Sequence, residues 1–179
     1  MTKIIEKVQG TPSSSRTYVV AYILNESGVD AASGNTFTVM WNQTPDSVEY
    51  SSVFLQNVNQ ATLIGATASK GAAGIGNIST SALATSDGDM VIDAATSSSE
   101  GSYTHNNGFT EALEVTITSA DGTGGYKAAT GANETPSVTH SVGSSVRHVL
   151  IGFVVKAWQG ELQQWTFTSG TIESEQVMP

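Results

Sequence analysis

Val146-Arg147-His148-Val149-Leu150-Ile151-Gly152-Phe153-Val154-Val155 is the stretch whose reading decides the fold. Val149, Leu150, Ile151, Phe153, Val154 and Val155 follow one another almost without interruption. That is the pattern of a strand covered on both faces in the middle of a sheet, so the core is expected to form around it.

Outward from this run the chain is a succession of short Val, Ile, Thr and aromatic segments separated by Gly, Ser, Asn and Asp. Thr17 to Leu24 and Thr36 to Asn42 read as strands, with Phe37, Val39 and Trp41 alternating onto one face and Trp41 placed in the core. Gly28 to Gly34 reads as the loop between them. Tyr50 to Val58, after the turn residues Pro45 and Asp46, is a further strand candidate, and Thr62 to Ala66 a short one. The Gly, Ala and Ser composition from Ser69 to Ser81 reads as a long surface excursion. Met90 to Ala94 restores the strand signal, Thr96 to Gly108 is polar, and Leu113, Val115 and Ile117 alternate. Ala120 to Gly125, with Asp121, Gly122, Gly124 and Gly125, reads as a turn cluster. Helix-compatible spacing is confined to Ile4, Ile5 and Val8, about two turns and too short to stand alone. The expected class is therefore all-β, an antiparallel two-sheet β-sandwich of jelly-roll type.

At 179 residues the chain fits one domain, here drawn as residues 1–157, followed by 158–179 as an extra edge strand or an arm reaching to a neighbour. Trp165, Phe167 and Ile172 give that tail a strand-like character before Glu173 and Glu175. Hydrophobic residues make up 39% and charged residues only 13%, so Ser, Thr, Asn, Gln and Gly must cover most of the surface. Such a surface suits a virion or an extracellular location. Sixteen acidic against seven basic side chains give a formal charge of -9, which repels phosphate backbones and anionic lipid and excludes nucleic acid as an expected partner. There is no cysteine for a disulfide or a thiolate zinc site. The first ten residues lack the apolar core of a signal peptide, and no window reaches the ~20 apolar residues of a membrane span.

His105, His140 and His148 fall on different segments, at spacings that put no two imidazoles on one metal. His148 alternates with Leu150 and reads as a surface or internally satisfied histidine. The serines lie in low-complexity stretches without a Gly-x-Ser-x-Gly elbow, which argues against hydrolase chemistry. Asp87, Asp89 and Asp93 are close in sequence, but Asp87-Gly88-Asp89 reads as a turn whose aspartates accept local backbone hydrogen bonds. Asp87, Asp89 and Asp121 are weak calcium candidates, with no calcium-loop signature around them, so neither metal nor cofactor is expected. Tyr126, Trp158 and Trp165 are the candidates for a glycan platform or a protein interface, since both uses favour exposed aromatic faces.

Asp87-Gly88-Asp89-Met90-Val91-Ile92-Asp93, the Gly125-Tyr126-Lys127 segment, Tyr50 to Gln60 and the closing run Val146 to Lys156 together resemble a β-sandwich domain of jelly-roll, concanavalin-like type found in phage virion proteins and bacterial surface proteins. The resemblance spans about residues 1–157, rests on structural motifs and implies no catalytic residue. In that domain Met1-Thr2-Lys3-Ile4 looks like an interior segment that follows opening strands absent here. The resemblance thus implies a fragment, a displaced start, or a sandwich completed by a strand from another chain.

Two function classes follow. The first is a non-catalytic structural or assembly protein, such as a capsid decoration or fibre protein or an extracellular filament subunit, forming a homo-oligomer or repeating lattice. The second is a carbohydrate-binding or adhesive module of a larger secreted protein.

Overall fold

The computed structural model describes residues 1–10, 16–34, 36, 38–40, 47–74, 76–141 and 146–158. It is all-β with antiparallel pairing throughout. The strands are β1 (Thr2–Gln9), β2 (Thr17–Ile23), β3 (Ile64–Ala73), β4 (Asn77–Ser79), β5 (Asp87–Ser97), β6 (Tyr103–His105), β7 (Thr110–Ile117), β8 (Ala120–Thr130), β9 (Ser137–His140) and β10 (Arg147–Val155). One short helix, α1 (Glu26–Asp30), interrupts them.

β10 lies second in a five-stranded sheet of order β3-β10-β5-β8-β7, paired on one side with β3 and on the other with β5. Val149, Leu150 and Ile151 are wholly buried. The uninterrupted apolar run is explained by what covers each face. Leu150 meets Ile78, Tyr103 and Val138 of the three-stranded sheet β4-β9-β6. Val154 continues that face beside Leu83, Val91, Phe109 and Ala129. On the opposite face Phe153 and Val155 pack with Met90 and with Ile4, Ile5 and Ala21 of the β1–β2 ribbon.

Several segments differ from the sequence reading. Met1 to Gly10 contributes β1, paired antiparallel with β2, so the two-turn helical spacing is incidental to a strand. Gly28 to Gly34 does not begin as a loop, because the Asn25 side chain accepts the Gly28 amide hydrogen at 3.0 Å and caps α1. In the expected strand Thr36 to Asn42, the described residues Thr36, Thr38, Val39 and Met40 belong to no strand, while Phe37 and Trp41 lie outside the described residues, as do Pro45 and Asp46. Tyr50 to Val58 is not a strand either; only Val58 makes an isolated bridge, to Ala157. Alternating side chains do not make a strand without a partner for the backbone.

The opposite error occurs where side chains are small. The segment read as a surface excursion holds the last half of β3 and all of β4. The expected turn at Ala120 to Gly125 is the opening of β8, and the reversal falls just before it, at Thr118 and Ser119, with Ser119 at φ 68°. The polar stretch Thr96 to Gly108 contains the end of β5 and all of β6.

Truncating Leu150→Ala removes a side chain packed from both sheets and is expected to destabilise the fold by about 2–5 kcal/mol, with little collapse of the cavity. Urea unfolding measures this, and a loss below about 1 kcal/mol would show that the two sheets do not meet at Leu150.

Candidate functional site

The seam between the five-stranded and three-stranded sheets is polar where most sandwich cores are apolar. Alternation places Asp93, Ala95 and Ser97 of β5 on the face toward the small sheet, beside Asp121, Thr123 and Gly125 of β8. Asp93 opposes Gly125 and Ser97 opposes Asp121 in the register. From the small sheet β6 supplies Tyr103 and His105, and β9 supplies His140. His148 arrives from β10, opposite Ser97. All three histidines of the chain therefore converge on one internal surface.

Two imidazole–carboxylate contacts bridge the sheets. His105 Nδ1 lies 3.3 Å from Asp93 Oδ1, with side chains 2% and 0% exposed. Its other nitrogen, Nε2, is 2.9 Å from the Thr123 hydroxyl, which donates to the Leu113 carbonyl. His140 Nε2 lies 3.3 Å from Asp121 Oδ2, both side chains having no exposure. The Thr116 hydroxyl donates to Asp121 Oδ1 at 2.9 Å. The His105–Asp93 approach is close without being a hydrogen bond: both Asp93 oxygens and His105 Nδ1 are buried with no hydrogen-bond partner among the described residues.

The third histidine sits between these groups and a carbonyl. His148 Nε2 is 3.0 Å from the Gly74 carbonyl oxygen and its Nδ1 is 3.4 Å from the Tyr103 hydroxyl. A carbonyl only accepts, so Nε2 carries the hydrogen and Nδ1 accepts from the phenol. The Tyr103 and His140 rings meet edge-on at 4.7 Å, and the His140 and His148 rings at 5.2 Å. The Tyr103 amide donates to Glu114 Oε1.

Glycines in β8 create the room. A β-carbon on Gly125 would collide with the His105 ring and come within 2.9 Å of Asp93 Oδ1. On the other face of the strand, a β-carbon on Gly122 would collide with the Glu49 carboxylate, which lies across it. These residues read as a turn cluster because glycine in a strand and glycine in a turn look alike in sequence. Here they mark close approach of side chains from other elements.

Burial governs the titration of the seam. It raises the Glu49 carboxyl from 4.5 to about 7, with the nearby Asp121 charge adding to the rise. Asp121 is also raised, first by burial and then by Glu114, against the opposing Thr116 hydrogen bond and His140. Burial, then the neighbouring His140, lowers the His148 imidazole below its ordinary value, against the Gly74 hydrogen bond. Burial pushes the Tyr103 phenol well above its ordinary range.

Ser97, His140 and Asp121 carry the side chains of a hydrolytic triad, but their geometry is different. Ser97 Oγ is 3.1 Å from His140 Nε2, the same nitrogen that Asp121 approaches. A triad needs its carboxylate on the nitrogen opposite the serine, to orient the ring while the other nitrogen takes the proton. Ser97, His140 and Asp121 are also 1%, 2% and 0% exposed, beyond reach of a substrate. The cluster is built to hold two sheets together.

The other sequence candidates lie elsewhere. Asp89 is buried at the start of β5, where it accepts from the Ser86 and Ala157 amides and pairs with Lys156 Nζ at 2.5 Å. Asp87, two residues earlier, is exposed. Asp121 faces the far end of β5, so Asp89 and Asp121 do not converge. Among the described residues no group of three or more His, Cys, Asp or Glu side chains is arranged to hold a metal ion. Tyr126 is half-buried and packs against the Met90 and Ile92 cluster, whereas Trp158 is 53% exposed. Trp165 lies outside the described residues. Sequence reading missed Asp93 and Ser97 as members of a cluster; the available signal was the period-two spacing of His105 with Tyr103, His140 with Val138 and His148 with Leu150.

Comparison with known proteins finds no matching family model, no matching curated protein and no matching solved structure. The likeness to virion and surface-protein sandwiches accordingly rests on the residues that suggested it. Among the described residues no helix is long and apolar enough to cross a membrane.

The raised Glu49 carboxyl has a signed consequence for stability. A carboxyl whose folded pKa lies above its unfolded value favours the fold at low pH, and that contribution is lost as pH rises from 4.5 through about 7. Glu49→Gln is therefore expected to raise the melting temperature at pH 8 and to change it little at pH 4.5. A lower melting temperature at pH 8 would show that the Glu49 charge is stabilised in the fold.

Proposed function

We propose that this chain is a non-catalytic structural protein that works by assembly, as a virion surface component of the decoration or fibre kind or as a subunit of an extracellular filament. The observation that carries this reading is the division of its side chains. Ser97, Asp93, Asp121, His105 and His140 are turned inward and meet at the seam. Large apolar side chains stand in water instead: Met40, Tyr50, Phe54, Trp158 and Tyr22 are 91%, 62%, 57%, 53% and 48% exposed. Apolar groups left outside a fold favour contact with another protein surface.

Sheet edges support the same reading. Among the described residues the five-stranded sheet ends at β3 and β7, whose outer backbone groups suit a strand added from another subunit. A two-sheet jelly-roll arrangement, formed by the five-stranded and three-stranded sheets, is part of this proposal. A second reading, a glycan-binding or adhesive module, draws on the half-exposed Trp158, since indole faces stack on sugar rings.

Light scattering of the purified chain, followed by negative-stain imaging, tests the assembly reading. Defined oligomers or filaments are expected, and Phe54→Glu is expected to shift them toward monomer while the melting temperature changes little. A monomer at all concentrations up to about 1 mM, the range of weak association, would overturn assembly of this chain with itself. Glycan binding abolished by Trp158→Ala in that monomer would instead establish the second reading.

A further inference from the structure

We propose that the histidine-lined seam is a proton-operated clasp, which at mildly acidic pH releases the three-stranded sheet β4-β9-β6 from the five-stranded sheet. The inference goes beyond assembly, and rests on where the histidines are and on how unequal the two sheets are.

Every imidazole of the chain is at this seam, and each makes a contact that crosses between elements that must separate if the small sheet lifts. His105 leaves Asp93 and Thr123, His140 leaves Asp121 and Ser97, and Tyr103 leaves His148. Of the three, His148 has both ring nitrogens committed in the neutral form, donating to the Gly74 carbonyl and accepting from the Tyr103 hydroxyl. A second proton on Nδ1 would turn an acceptor into a donor against the phenol and put a buried cation 5.2 Å from the His140 ring. Lifting the small sheet removes Tyr103 and His140 together, and water then solvates the imidazolium.

The groups facing this site are known from each side. Tyr103 comes from β6, His140 from β9, Ser97 from β5 and the Gly74 carbonyl from the segment after β3. Asp121 of β8 lies behind His140, with Glu49 and Glu114 of β7 beyond it. The acidic groups attract protons to the neighbourhood, but the atom contacts place Asp121 against His140. His148 meets a phenol, a carbonyl and another imidazole. Its lowered pKa is in keeping with that environment.

The small sheet is also built of shorter strands than the large one. Its strands are three, three and four residues long, against eight to eleven in the large sheet. Its apolar anchors in the Leu150 cluster are Ile78, Tyr103 and Val138. Short strands with few buried apolar contacts open at lower free energy than the body of a domain.

The sign follows from linkage. A histidine whose folded pKa is below its unfolded value stabilises the closed form above the unfolded value, and that stability is lost as pH falls through and below 6.5. With one extra proton bound in the open form, each pH unit below that point multiplies the open population by up to about ten until the closed form titrates as well.

Hydrogen exchange followed by mass spectrometry on the full chain at pH 7.5 and pH 5.0, at constant ionic strength and corrected for intrinsic exchange, tests this directly. Protection in 77–79, 103–105 and 137–140 is expected to fall by roughly tenfold or more at pH 5.0, while 87–97 and 147–155 keep theirs. In His148→Gln, which has no titrating ring, that difference is expected to disappear. Equal loss in both sheets, no loss in the small sheet, or an unchanged pH effect in His148→Gln would overturn the clasp. If the variant does not fold, the wild-type imidazole resonances decide the matter: a His148 midpoint below the ordinary histidine value supports the clasp, and one at or above it overturns it.

Discussion

Keeping aspartates out of water is the constraint to which much of this structure answers. Asp89, Asp93 and Asp121 are 0%, 1% and 0% exposed, in the sheet that also buries Val91, Leu150 and Val154. Desolvation of an ionised carboxylate is strongly unfavourable unless a cation or hydrogen-bond donors replace the water. Lys156 and two amides do so for Asp89, while His105 and His140, reaching in from the opposite sheet, approach Asp93 and Asp121. The partners come from different elements, so the polar contacts fix how the sheets sit on each other, a specificity that apolar packing alone supplies less sharply.

The same constraint explains the glycines of β8. The His105 ring beside Asp93 needs space over the neighbouring strand, and Gly125 supplies it by having no β-carbon. Gly122 does the same for Glu49 on the reverse face. A strand weakened by glycine is held in place by pairing along its length, with β5 on one side and β7 on the other.

What could be read in the sequence follows the strength of each local signal. The run from Val149 to Val155 identified an interior strand because double burial requires apolar residues at consecutive positions. The Thr17 segment and the Leu113 alternation were legible for a similar reason, and both are strands. Composition misled where a small or polar residue had a tertiary role, as in β3, β4 and the opening of β8. Pattern also misled at Tyr50 to Val58, where the alternation has no strand partner and Tyr50 and Phe54 face solvent. The seam showed in sequence only as the period-two spacing of each histidine with an apolar or aromatic neighbour, since it joins residues from Asp93 to His148 through pairings that only the folded register creates.

The seam joins side chains of the two sheets, while Met40, Phe54 and Trp158 stand exposed on the outside. The claim on which this account turns is that contacts between histidines of one sheet and aspartates of the other help to hold the two sheets together. A double-mutant cycle on Asp93→Asn and His105→Gln, read by urea unfolding at pH 7, measures that coupling directly. The account predicts an interaction energy of about 0.5–3 kcal/mol, whereas additive effects of the two substitutions would contradict it.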